Sequence, residues 1–84
     1  MVELFQLEDC PDCGRVRRRL SDLMIDYVSR QVPPDPALRT RLQLATGQSD
    51  VPVLIDPERR MIVTEADDII AYLEETYGER RTAP

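Results

Sequence analysis

The sequence predicts a small α/β domain in the order β-α-β-α-β-β-α, with one four-stranded mixed sheet and helices on both of its faces. Three observations carry this expectation. An alternating apolar stretch at the start of the chain leads into a run of helical period and then a second short extended stretch, the pattern of a β-α-β unit with parallel strands. Two short apolar runs, residues 53–55 and 61–63, flank the turn-forming segment Asp56-Pro57-Glu58-Arg59-Arg60, the pattern of a hairpin. A long amphipathic run then ends the chain. The 84 residues suffice for one domain with a modest core.

The elements follow in order. Residues 2–7, Val-Glu-Leu-Phe-Gln-Leu, alternate as a strand does. Pro11 suits the first turn of a helix, and Val16, Leu20, Leu23 and Met24 recur at helical spacing with the arginines facing outward. Residues 27–32 read as a second strand, broken by Pro33-Pro34. A second helix is capped by Asp35, opened by Pro36 and closed by Gly47, and would bury Leu38, Leu42 and Ala45. After the hairpin, Thr64 is the expected cap of the last helix, with Asp67 at the capping-box position. That helix would bury Ala66, Ile69, Ile70, Leu73 and Tyr77 and stop at Gly78, giving a domain over 1–78 and a flexible tail over 79–84.

Composition narrows the function classes. The net charge is −5, with 16 acidic residues against 11 basic ones, which argues against nucleic-acid and anionic membrane partners. No apolar run is long enough to span a bilayer, and the first residues lack the basic and small-residue marks of a signal peptide, so a cytoplasmic setting is expected. All the basic residues are arginines, and this lack of lysine is read as genome composition. The absence of histidine excludes Cys-His catalysis, serine triads and imidazole-bound zinc.

The two cysteines, Cys10 and Cys13, fall at the corner between the first strand and the first helix. A Cys-x-x-Cys there, within a β-α-β pattern, is the thioredoxin-like signal. At a helix N-terminus the unpaired N–H groups and the dipole stabilise a thiolate, so Cys10 is the expected nucleophile. Cys13, one turn on, is placed to resolve a mixed disulfide. Two alternatives stay open at this point: a metal or iron-sulfur centre whose four thiolates come from two chains, and a pair of inert thiols.

Three segments in order resemble the glutaredoxin family: CPDCGRVRRRL (10–20), TGQSDVPVLID (46–56) and TEADDIIAYL (64–73). The first is also similar to the glutaredoxin-like N-terminal domains of glutathione transferases. The resemblance implies a thioredoxin-like fold and dithiol-disulfide oxidoreductase activity, with Cys10 and Cys13 catalytic. It implies a cis peptide at Val51-Pro52, with the Val51 backbone pairing with the cysteinyl part of glutathione. Gln48 would lie near the glycyl carboxylate, and the Ala66 backbone and Asp67 carboxylate would hold the γ-glutamyl end. The implied partners are protein or mixed disulfides and a reductase or small thiol, glutathione among them, acting on a monomer with no bound cofactor or metal. A binding module of the transferase type, without turnover, is the alternative from a different class.

The departures from the family pattern share a sign. Asp12 stands at the family's aromatic position, Asp50 at its threonine, Ser49 at a position commonly basic, and Thr64-Glu65 at its glycine pair, while no lysine precedes Cys10. With Glu8, Asp9, Asp67 and Asp68 these residues predict a negatively charged site, unfavourable to anionic glutathione.

Overall fold

The computed structural model describes residues 1–82. Strands β1 (Val2–Gln6), β2 (Tyr27–Gln31), β3 (Val53–Asp56) and β4 (Met61–Thr64) form one sheet in the order β2-β1-β3-β4. The helices are α1 (Pro11–Asp22), α2 (Thr40–Thr46) and α3 (Ala66–Thr82). β1 runs parallel to β2 and antiparallel to β3, and β3 is antiparallel to β4. This is the thioredoxin-like α/β architecture expected.

The alternation of β1 divides the core. Val2 and Leu4 point to one face, where Val16 and Leu20 of α1 and Ile69, Leu73 and Tyr77 of α3 cover them. Phe5 points to the other, against Val32, Val53 and Leu42 of α2. Each large apolar side chain buried in this way contributes about 1.5–3 kcal/mol.

Several local expectations need correction. The second helix is interrupted: Pro36–Leu38 form a single 3₁₀ turn, in which Asp35 accepts from the Ala37 N–H at 3.0 Å, and α2 starts only after Arg39. The break is set by Arg39, which is buried and donates to the carbonyls of Pro33, Pro34 and Ser49 at 2.8, 3.1 and 2.9 Å. The interruption shifts the helical phase, so of the expected apolar set only Leu42 is buried, while Leu38 and Ala45 face solvent. Gly47 does close α2, in the left-handed conformation at φ 78°.

Met24 is not part of the α1 face. The helix ends at Asp22, and Met24 turns left-handed at φ 55° with its side chain 85% exposed. Nor do all the arginines of α1 face outward, because Arg17 and Arg19 are half-buried, Arg19 against Glu74 of α3. At α3, Thr64 is the last residue of β4 and does not cap. Glu65, at φ 68°, precedes the helix, and its carbonyl accepts the Ile69 N–H at 2.9 Å, so Asp67 falls outside the capping-box position. Gly78 does not stop α3, which continues to Thr82 because Gly78 keeps helical geometry. The expected tail over 79–84 is therefore helical as far as 82, and residues 83 and 84 lie outside the described residues.

Asp56, expected to open the hairpin turn, instead ends β3 with only 1% of its surface accessible. Tyr77 and Tyr72 of α3 donate to its Oδ2 at 2.6 and 2.7 Å, and Arg59 approaches the same oxygen at 3.5 Å. Arg59 also donates to the Tyr77 hydroxyl at 2.9 Å and stacks over its ring. Burial alone would raise the Asp56 carboxyl, but the two phenols and the guanidinium outweigh it and hold the group below the usual carboxylate range. Burial, then the Asp56 carboxylate, push the Tyr77 phenol up to about 12. The carboxylate's contribution to stability is thus present above the ordinary carboxyl pKa and is lost as pH falls through its lowered folded value. The phenol's is present below about 10 and lost as pH rises through about 12. Tyr77→Phe is expected to lower stability by about 1.5–3 kcal/mol at neutral pH. Urea unfolding at neutral and acid pH should show that deficit narrowing in acid, as Asp56 becomes protonated.

Candidate functional site

The register of the sheet gathers the site. Phe5 of β1 lies opposite Val53, and Val53 lies opposite Thr64, so the segment after β1, the segment before β3 and the segment after β4 meet at one sheet end. A cavity of about 400 Å³ opens there. Leu7, Cys10 and Asp12 line it from the β1–α1 corner, and Arg39 and Gln48 from around α2. Asp50, Val51 and Pro52 form the wall before β3, and Thr64, Glu65 and Ala66 the wall after β4. The Val51-Pro52 peptide is cis.

Cys10 is the N-cap of α1, partly exposed, and its sulfur accepts the Cys13 N–H at 3.4 Å. As the N-cap, this sulfur lies beside the N–H groups that begin α1, at the positive end of the helix dipole. Cys13 differs sharply. It is fully buried, and burial pushes its thiol up to about 11, a shift reinforced by neighbouring Cys10 and opposed by the Leu7 backbone N–H and the Arg17 charge. The same short segment therefore presents one sulfur to the cavity and keeps the other protonated behind it.

Arg17 fixes the corner that carries Cys10. Its guanidinium is bonded to Gln6 Oε1, reaches the carbonyls of Leu7 at 3.5 Å and Glu8 at 3.2 Å, and pairs with the Glu8 carboxylate at 3.3 Å. Gln6, buried on the same face as Val2 and Leu4, holds Ser29 of β2 at 3.0 Å with its amide nitrogen. Arg15 performs a second tie, bonding Asp12 at 3.2 Å and Asp67 of α3. The Asp67 and then the Asp12 carboxylates hold the Arg15 guanidinium above its ordinary pKa.

Of the site residues expected from the sequence, Cys10, Gln48, Val51, Pro52 and Ala66 all line the cavity. Cys13 lies behind it, and Asp67 is on the rim, 82% exposed, with its carboxylate engaged by Arg15. Arg39 joins the lining without having been anticipated. Its position three residues after Pro36, inside the expected second helix, marked it only as a helix residue. Glu65 is also notable as a left-handed non-glycine residue in the wall, a conformation found chiefly where surrounding structure enforces it.

At pH 7 a thiol with a pKa of about 11 is ionised to roughly one part in ten thousand. Iodoacetamide should therefore label the Cys13→Ser protein at Cys10 at least about tenfold faster than the Cys10→Ser protein at Cys13. Equal rates, or faster labelling of Cys13, would reverse the assignment of nucleophile.

Residues 4–81 match the family model described as glutathione S-transferase, N-terminal domain. No curated protein sequence matches the chain. Among solved structures, a diazinon-metabolizing glutathione S-transferase of the silkworm Bombyx mori superposes with a TM-score of 0.80 at 23% identity, covering 100% of this chain and 41% of that one. Glutathione S-transferase 1-6 of Anopheles dirus species B gives 0.80 at 26% identity, covering 95% and 38%. A rice glutathione transferase solved in complex with glutathione gives 0.78 at 20% identity, covering 93% and 34%. The chain thus spans less than half the length of each of these transferases. The match to the family model runs from within β1 almost to the end of α3 and takes in every wall of the cavity, and the chain belongs to the glutathione S-transferase N-terminal domain family.

Proposed function

We propose that this domain binds glutathione-type thiols at the sheet-end cavity and uses Cys10 and Cys13 for thiol-disulfide exchange. The observation that supports this most is the pairing of an N-cap sulfur on the cavity wall with a buried thiol one helical turn behind it. The Cys10 thiolate attacks one sulfur of a substrate disulfide. A Cys10–substrate disulfide forms, the substrate S–S bond breaks, and the departing thiolate takes a proton. Cys13 then gives up its proton and attacks the Cys10 sulfur, releasing the second substrate thiol. The protein dithiol loses two electrons and two protons to the substrate and becomes an internal disulfide. A reductase or small thiol restores the dithiol.

A bound glutathione fits this frame as follows. Its cysteinyl part lies along the Val51 backbone beside Cys10, where an extended peptide can pair with main-chain groups. Its glycyl carboxylate lies toward Gln48 and Arg39, the one basic residue among the described residues of the lining. Its γ-glutamyl carboxylate lies at Glu65-Ala66, at the N-terminus of α3, whose first N–H groups have no partner within the helix. Asp67, tied to Arg15, acts there from the rim. The chemistry suits a thiol-reducing compartment, and we assign the protein to the cytoplasm.

The match to a transferase N-terminal domain favours a second reading, a glutathione-binding module without turnover. One experiment separates the two. With excess glutathione disulfide, Cys13→Ser should retain one glutathione on Cys10, seen as a mass adduct that a reductant removes, and the parent protein should instead finish as the internal disulfide, two hydrogens lighter. Binding of glutathione with no adduct on Cys13→Ser and no internal disulfide in the parent would leave only the binding module.

A further inference from the structure

We infer that the site selects disulfides carried on positively charged peptide segments, an inference that rests on the exchange chemistry proposed above. The charges around the cavity decide it. Asp50, before β3, and Glu65, after β4, both line the cavity and have no ion-pair partner among the described residues. Each directly precedes a backbone position that would meet the substrate, Val51 in one wall and Ala66 in the other. Asp12 also lines the cavity, and it shares the single Arg15 cation with Asp67, so that group of three keeps a net negative charge. Asp9, exposed beside Cys10, adds another carboxylate, and Asp68 a further one in the first turn of α3.

The cations nearby are spent elsewhere. Arg17 is turned onto Gln6 and Glu8 at the back of the corner. Arg41 of α2 lies over the Phe5 ring and is not part of the cavity wall. Arg39 lines the cavity, yet it is buried with its guanidinium committed to three carbonyls, so its charge sits in the inner wall and not at the mouth. The resulting field is negative where a partner arrives and positive only at depth. Clefts lined by one sign of charge raise the encounter rate of oppositely charged partners. Glutathione, with its net negative charge, approaches against this field, whereas a cysteine flanked by lysine or arginine on an extended segment approaches with it, its basic side chains entering the field of Asp50 and Glu65.

The test uses the prereduced protein in single turnover with three peptides that differ only in the residues flanking one cysteine: lysine, glutamine or glutamate. Each peptide is presented as its mixed disulfide with 2-mercaptoethanol, so the leaving group is neutral and no external reductant is needed. The lysine peptide should react fastest and the glutamate peptide slowest, with a span of at least about tenfold at low ionic strength. At about 0.5 M salt the span should contract to within about threefold. Asp50→Asn, which leaves the backbone and Cys10 unchanged, should compress the low-salt span, and Asp50→Asn with Glu65→Gln should compress it further. Equal rates for the three peptides, or a faster glutamate peptide, would overturn the charge selection and leave the exchange chemistry standing. No reaction with any of them, in protein whose Cys10 still alkylates, would overturn both.

Discussion

The candidate site depends on one constraint, the enclosure of β1. This strand is hydrogen-bonded to neighbours on both sides and covered on both faces, so that Val2, Leu4, Phe5 and Gln6 are all buried. A five-residue strand held in this way has no freedom of register, because a slip by one residue would exchange Leu4 and Phe5 between two differently shaped cores. Its end is therefore a fixed point, and the chain leaving it must turn into α1 at one place. The antiparallel pairing of β1 with β3 and of β3 with β4 then brings the start of β3 and the end of β4 to that same point. Cys10, Pro52 and Ala66, distant in sequence, share a cavity as a consequence of sheet register.

The corner itself is held by polar groups where apolar packing runs out. Gln6 continues the Val2–Leu4 face, but above it stands Arg17, not another leucine. A buried amide must find partners, and Gln6 finds Ser29 across the sheet and Arg17 above it. Arg17 in turn bonds the Glu8 carbonyl and adds to the Leu7 carbonyl, which also accepts the Cys10 N–H at 3.1 Å. The chain before Cys10 is thus fastened on the side away from the cavity, which leaves the sulfur free to face it. Cys13, one turn along, falls on the inner side of α1 with Val16 and Leu20, and its burial follows from helical period alone.

What the sequence made legible were the features with strong local periodicity. The element order, the parallel and antiparallel pairings, the cap at Cys10, the stop at Gly47 and the buried stripe of α3 are all written in adjacent residues. The features it hid are those decided by distant partners. Arg39 reads as one more surface arginine until the chain brings Pro33, Pro34 and Ser49 around it, and the interruption of the second helix follows from that cage. Gly78 resembles a helix stop, yet nothing nearby requires a left-handed turn, and its small propensity penalty is readily outweighed by the helix around it. Asp67 was expected to serve the helix and a ligand. Arg15, from another helix, engages it. The lining positions Gln48, Val51, Pro52 and Ala66 were legible only by resemblance, since no periodicity singles them out.

The two ends of β3 show how one residue type acquires opposite roles. Asp56, at the far end, meets two phenols and a guanidinium at its Oδ2, while its buried Oδ1 has no hydrogen-bond partner among the described residues. A carboxylate so engaged is part of the framework, and its charge is spent within the protein. Asp50, just before the near end, lines the cavity, remains exposed and forms no ion pair among the described residues. Its charge is projected into solvent instead. The local sequence does not announce the difference, because Asp56 directly precedes Pro57 and Asp50 lies two residues before Pro52, each near an end of β3. The difference lies in the length of α3, whose later turns bring Tyr72 and Tyr77 onto Asp56 while its first turn carries the carboxylates Asp67 and Asp68. The fold thus engages acid inside the framework at one end of β3 and, at the other, leaves Asp50 and Glu65 without an ion-pair partner among the described residues, on the walls of the cavity that Cys10 lines.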